Sequence, residues 1–328
     1  MRNLLKITAA AVVGSTLAAP ALAAYPDRPV TMVIPYGPGG ATDISARTIS
    51  RALGQQSPQP LLMVNRTGAG GATGSTAVKN ADADGYTMLF ARVGSHSVNP
   101  AMKATLPYKI EDFRFVGVYE INPVVCATAM NSGINSMADL MKKANSAKGA
   151  VSYSSSGVGS LLHLAAVMVL DSFGLKDAAN NATHIPLKGG GAAATAVLNG
   201  TATVVCTNSS ALAGFVKNKQ LRPLMVTTPK RLAGFDDAPT AAELGKPELE
   251  QLVGWTGIAG PKGISDEVAA TWRKWLAGAT ADKDFVGKMT ARGSVIRLMD
   301  PEESRKFIHT QYSTFRKLVD QLGLRIKN

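Results

Sequence analysis

From Pro29 onward the hydrophobic period of the chain keeps switching. Apolar runs of strand length, VTMVIPY, LLMVNR and TMLFAR, alternate with helix-length stretches such as ISARTISRALG and TGSTAVKNA. Such alternation argues for βαβ units, and hence for a parallel sheet with helices packed on it. The second half repeats the pattern in GAVSYSSS, SLLHLAAVMVLDSFG, THIPLKG, AAATAVLNG, ATVVCTN and LRPLMVTT. The fold class read from this is α/β. Gly54, Gly174 and Gly200 each follow a helical stretch and are expected to act as C-caps.

The region INPVVCATAM, followed by polar Asn131, Ser132 and Gly133 and a helix around Met137 to Asn145, reads as a crossing from one lobe to the next. A return crossing is expected in LRPLMVTTPKR. Beyond LVGWTGIAG lie two long amphipathic stretches, SDEVAATWRKWLAGAT and PEESRKFIHTQYSTFRKLVDQLG. The second opens with a capping Asp300, Pro301 at the first helical position, and Glu302 and Glu303 at the positive end of the dipole. Both helices are read as structural.

At the N-terminus, Arg2 and Lys6 precede an apolar stretch ending in Ala21-Leu22-Ala23, the form of a secretory signal peptide cleaved before about Ala24. A transmembrane helix is the alternative, but the uninterrupted apolar stretch is shorter than the roughly 20 residues a bilayer requires. The expected location is therefore the periplasm. Arg2 and Lys6 account for two of the +12 formal charges, leaving +10 spread over the remaining chain without a basic run. A diffuse positive field suits small anions, whereas nucleic acid calls for a clustered stripe or exposed aromatics. Cys126 and Cys206 are the only cysteines; export makes a disulfide possible, but two buried free thiols are the expectation, since exported proteins that depend on bridges usually carry more of them.

Two stretches share one design. IPYGPGGATDISAR and VSYSSSGVGSLLHLAA each run from an apolar strand through a small Gly-rich turn into a helix. Glycine allows close approach, the first helical turn presents unpaired N–H groups, and the dipole adds partial positive charge. A carboxylate or phosphate can be held there without a cationic side chain. A single loop of this kind is often a plain connector; two, one in each lobe, point to a cleft at the carboxyl ends of the strands.

Other chemistries fail on spacing. NRTGAGGATGSTA has Thr73 where a dinucleotide fingerprint beginning at Gly68 needs its last glycine. Neither Gly-rich loop has the Gly-Lys of a P-loop, and the Gly-x-Ser-x-Gly nucleophile elbow is absent. His96, His163, His184 and His309 are scattered and form no metal motif, so neither metal nor cofactor is expected. His163 reads first as a packed helical histidine, though near enough to its helix start to line a cleft. Ser95 and His96, in RVGSHSVNP after a strand, are expected at the pocket rim.

Taken together, YPDRPVTMVIPYGPGGATD, VNRTGAGGATGSTAV, DADGYTMLF, HSVNPAM, SYSSSGVGSLLHLAA, HIPLKGGGAA, LNGTATVVC, LRPLMVTTPKR, APTAAELG and WTGIAGPKG occur in one order. Over nearly its whole mature length the chain resembles the Bug family of periplasmic solute-binding proteins, the receptors of tripartite tricarboxylate transporters. The resemblance implies a periplasmic binding protein (Venus-flytrap) fold, with two α/β lobes joined by crossing strands and closing over a small organic acid. Residues 24–123 would form the first part of lobe one, 124–225 lobe two, and 226–328 the return to lobe one. It also implies a first grip from Tyr36 through Gly37, Pro38, Gly39, Gly40, Ala41 and Thr42 to Asp43, with Tyr36 as a wall and Asp43 more a helix cap than a contact. The second grip runs from Ser154 to Ser160, including Ser156, Gly157 and Gly159, with His163 and Thr207 beside it.

The chain departs from the family pattern at three positions. Leu187 replaces a common Tyr, and Thr207 a common acidic residue, which disfavours a ligand bearing an ammonium group. Arg92 stands where small residues are usual and either grips a second carboxylate or forms a structural ion pair outside the cleft. The expected protein is thus a monomeric, non-enzymatic receptor of a mono- or dicarboxylate, possibly aromatic, serving membrane permease subunits. An exported sensor docking on a membrane histidine kinase shares the same fold. An exported hydrolase would need an activated nucleophile, for which no Ser or Cys has a base at motif spacing.

Overall fold

The computed structural model of the protein describes residues 25–326 other than Gly39, Lys188 and Leu322. The expected signal peptide and its cleavage point lie outside the described residues. The chain opens with β1 (Val30–Ile34), α1 (Ala41–Gly54), β2 (Leu61–Asn65), α2 (Ala72–Lys79) and β3 (Thr87–Arg92). A π-helical turn, Gly94–Val98, leads into α3 (Asn99–Met102), and the 17-residue β4 (Phe113–Ala129) follows. Next come α4 (Met137–Ala144), β5 (Ser152–Ser155), α5 (Leu161–Ser172), α6 (Ala178–Asn181), β6 (Thr183–Pro186), α7 (Gly190–Leu198), β7 (Val204–Asn208), α8 (Ser209–Lys217) and β8 (Leu221–Val226). The chain returns through β9 (Val253–Pro261), α9 (Asp266–Thr280), α10 (Lys283–Thr290), β10 (Val295–Ile296) and α11 (Pro301–Gln321).

The strands run in the order β2-β1-β3-β9-β4-β7-β5-β6, with β8 and β10 also paired to β4. β1 is parallel to β2 and β3, and β5 is parallel to β6 and β7, so each half holds the expected βαβ core. The two halves meet in β4. Its residues up to Pro123 pair antiparallel with β9, and from Val124 onward it pairs with β7 and β8. Thr227, just past β8, secures the junction: its hydroxyl accepts from the Val124 amide at 3.0 Å and donates to the Leu252 carbonyl at 2.9 Å.

Both faces of the sheets are covered, which is why the central strands read as unbroken apolar runs. Val30, Met32, Ile34 and Phe90 pack against Trp272, Trp275 and Leu276 of α9, while Val33 and Leu89 face the opposite core. Each fully buried aliphatic side chain of this kind contributes roughly 1.5–3 kcal/mol. The expected caps hold at α11, where the Asp300 carboxylate accepts from the Glu303 amide at 2.7 Å, and Ser265 caps α9 in the same manner.

Two expectations are corrected. Gly54 is the last residue of α1, the C-cap Gln55 stays right-handed, and no left-handed turn closes this helix; Gly174 and Gly200 do supply one, at φ 99° and 74°. Cys126 and Cys206 are not free thiols but a disulfide. They are direct partners across the antiparallel β4–β7 pair with Cα atoms 4.0 Å apart, a register that two separate apolar runs do not reveal.

Candidate functional site

A cleft of about 960 Å³ lies between the halves, and N-termini of α1, α5, α7 and α8 contribute to its wall. The first turn of a helix carries N–H groups without intrahelical partners, so each terminus offers donors and partial positive charge. α5 is closed by its own N-cap, Ser160, whose hydroxyl accepts from the His163 amide at 3.2 Å. The N-caps of α1, α7 and α8, namely Gly40, Gly189 and Asn208, supply no side-chain cap. Three helix ends therefore carry no side-chain cap on their first-turn N–H groups. Among the described residues lining the cleft, the charged side chains are Arg92 and Lys103, and none is acidic.

The first loop is braced from behind. Asn65, at the end of β2, donates to the Tyr36 carbonyl at 3.0 Å and to the Asp43 carboxylate at 2.9 Å, and Arg47 binds both Asp43 and Asn65. Asp43 thus sits in the first turn of α1 turned toward this brace and is not on the cleft wall. Tyr36 is on the wall, with its hydroxyl donating to the Gly70 carbonyl at 3.1 Å. Its ring fits a slot made by two glycines: a Cβ at Gly71 would lie 2.9 Å from the phenol, and one at Gly94 only 2.5 Å from its oxygen. Of the glycines of NRTGAGG, Gly71 makes this slot and the Gly70 carbonyl accepts from the phenol, while Gly68 makes room for Thr73. Burial raises the Tyr36 pKa above its ordinary value, so the ring stays a neutral donor.

The second loop is held by imidazoles. Ser155 shares a 2.6 Å hydrogen bond with His184 Nε2 and accepts from the Gly157 amide, and His163 Nδ1 accepts from the Gly159 amide at 3.1 Å. The His163 and His184 rings stack with centroids 4.1 Å apart, beside Tyr153. Burial first, then His184, lowers the His163 pKa to about 4, and its neutral form is the one that accepts from the loop. The positive φ of Gly157 (123°) and Gly159 (71°) lets the loop turn into α5.

Of the residues expected at the site, Tyr36, Gly37, Pro38, Gly40, Ala41, Thr42, Arg92, Ser156, Gly159, Ser160 and Thr207 line the cleft; Gly39 lies outside the described residues. Asp43, Ser95, His96, Ser154, Gly157 and His163 do not line it. His96 is not at the rim, contrary to expectation. It is fully buried among Tyr108, Phe113, Phe115 and Trp255, and burial lowers its pKa to about 3. Ser95 bonds the Arg92 carbonyl and His96, and Ser154 donates to the Ala193 carbonyl at 2.7 Å. Gly157 and His163 shape the loop through their bonds to Ser155 and Gly159.

Cleft residues not foreseen include Asn99, Lys103, Gly189 to Gly191, Asn208, Ser210 and Ile326. The glycine triplet carried the same strand, glycine, helix signal as the first two loops and was legible; Lys103 and Ile326 are brought in by the pairing of the C-terminal segment with Lys103 and had no local signal.

A two-lobed α/β protein with a cleft of helix ends between its lobes is a solute-binding receptor in architecture, and comparison with known proteins gives the family. A family model described as tripartite tricarboxylate transporter family receptor matches residues 45–324. The chain belongs to this family of periplasmic solute-binding receptors. It is 30% identical to Protein BugT of Bordetella pertussis over 330 residues, covering 100% of this chain and 99% of that protein. The solved structure of periplasmic binding protein BugD is 25% identical, with a TM-score of 0.81 over 92% of this chain and 100% of BugD. R. palustris Rpa4515, solved with adipate, is 26% identical, with a TM-score of 0.81 over 91% of this chain and 98% of its own.

Proposed function

We propose that this receptor captures a small carboxylate in the periplasm, where its export signal directs it, and hands it to the membrane permease of a tripartite tricarboxylate-type transporter. The observation that carries the reading is the cleft wall itself: three helix N-termini without side-chain caps, two cationic side chains and no acidic one among the described residues. Backbone amides and helix dipoles favour an anion there, and an ammonium group would meet no carboxylate. The adipate in Rpa4515 fits the same class of ligand. The Ser–His pairs, Ser155 with His184 and Ser95 with His96, stand off the cleft wall, which favours binding over turnover. The hinge of closure lies where β4 changes partners, at Pro123 and Val124, and the return at Val226, dividing the chain into lobes of 24–123 with 226–328 and 124–225. Mass spectrometry of the small molecule released by denaturing the purified receptor tests the assignment. An organic acid is expected; a retained sugar, amine or metal ion would contradict it.

A further inference from the structure

We infer that the cleft contains a second anion subsite, formed by Arg92, the Thr207 hydroxyl and the glycine N-terminus of α7, which selects ligands bearing a second anionic group. The inference rests on the carboxylate reading above and adds to it which residues set the ligand's charge.

Arg92 is 6% exposed and lines the cleft. Its partners are neutral: Nη1 donates to Thr256 Oγ1 at 3.0 Å, and Nη2 reaches Asn208 Oδ1 at 3.5 Å. Among the described residues it forms no ion pair. Glu120 shares Thr256 with Arg92, and both its oxygens are engaged, Oε2 by Thr256 and Oε1 by Ser294 and Asn122. Glu120 therefore orients the guanidinium through Thr256 and leaves it without a carboxylate of its own. A nearly buried cation with donors to spare is costly unless an anion completes it.

Beside it, Thr207 Oγ1 is fully buried and has no hydrogen-bond partner. It faces α7: a Cβ at Gly190 would lie 2.6 Å from this oxygen. The missing Cβ leaves room for the hydroxyl to lie against the first turn of α7. Gly189, at φ 103°, leaves the start of α7 uncapped, and a Cβ at Gly191 would meet nothing within 4 Å. The hydroxyl lies against the open end of α7, and Asn208, the residue after Thr207, accepts from Arg92 Nη2, so a free hydroxyl, an uncapped helix end and a guanidinium without an ion pair line the same cleft. Arg recognises a carboxylate by parallel N–H donors, and the helix end adds amide donors of the same kind.

The test is calorimetric titration of the full receptor with succinate, glutarate and adipate, each against the monocarboxylate of equal length: butyrate, valerate and hexanoate. The best dicarboxylate should bind about a hundredfold more tightly than its partner, the scale expected for charge-assisted hydrogen bonds. Arg92→Met should bring the ratio to within about threefold. Because Arg92 is buried and its loss can weaken the fold, Thr207→Val, nearly identical in shape, is the second variant. It should keep the wild-type Tm and weaken the dicarboxylate about tenfold more than the monocarboxylate. Equal affinity for mono- and dicarboxylates in the wild type, or equal losses in Thr207→Val, would overturn the subsite and leave the carboxylate reading standing. Binding of none of the six acids would overturn the subsite, and the carboxylate reading then stands or falls on the molecule released from the purified receptor.

Discussion

Tyr36 shows at the scale of single residues how packing sets up recognition. The phenol reaches the cleft only because Gly71 and Gly94 have no Cβ where it lies. Gly94 has an ordinary φ, so Gly94→Ala tests space and not backbone strain. The added methyl would sit 2.5 Å from the Tyr36 oxygen but 3.5 Å from the ring carbon bearing it. Gly94→Ala alone is expected to displace the ring and weaken ligand binding about tenfold, whereas the same change in a Tyr36→Phe background should cost little further, a coupling that a double-mutant cycle on Kd measures. Additive losses would show that the ring is not held by this contact. The role of these glycines was hidden in the sequence, because a glycine's purpose depends on which side chain arrives from elsewhere in the chain. His96 was misplaced for a similar reason: its position after a strand suggested the rim, but the π-helical turn Gly94–Val98 aims it inward against four aromatic residues.

Whole elements were more legible. Strand and helix alternation, the Asp300 cap of α11 and the loops opening α1 and α5 followed from local chemistry, and α7 carried the same signal. The pairing of Cys126 with Cys206 and the presence of Ile326 at the cleft depend on register and long-range return, which no local pattern encodes. The loop before α5 has a consequence for pH. His163 has a folded pKa of about 4 against 6.5 when free, so at intermediate pH the unfolded chain binds a proton that the folded protein does not. The stability this gives is complete above about pH 6.5 and is lost as pH falls toward 4; His96, with a folded pKa of about 3, extends the loss lower. Each such proton is worth about 1.4 kcal/mol per pH unit. In His163→Gln the amide oxygen can still accept from Gly159, so denaturant unfolding at pH 7 and pH 5 should show a pH slope shallower by about one proton. An unchanged slope would contradict the assignment of His163 as a neutral acceptor.

At the scale of the whole molecule, two lobes share a long strand, β4, and the cleft is lined by helix ends that neither lobe holds alone. Backbone donors make such a site permissive about the body of its ligand and strict about its charge. For the same reason the sequence points to a class of ligand and not to a compound: amides of any residue type look alike, and on the proposed reading Arg92 and Thr207 carry what side-chain code there is.

Thermal unfolding with and without ligand, in the wild type and in Gly40→Val, tests the central claim most directly. Gly40 has φ −75°, open to any residue, and a Cβ there would stand a tight 3.3 Å from the Gly37 carbonyl, which the exposed loop can relieve by a small shift, so valine should preserve the fold while its methyls crowd the amide end of α1. At about a hundred times Kd a ligand adds about 2.7 kcal/mol, a rise of roughly 4 °C in Tm for a protein of this size. The wild type should show that rise with organic acids and not with sugars, amines or metal ions, and Gly40→Val should melt at the wild-type temperature without responding to any acid. A wild type indifferent to carboxylates, or a Gly40→Val variant with the full response, would contradict the account.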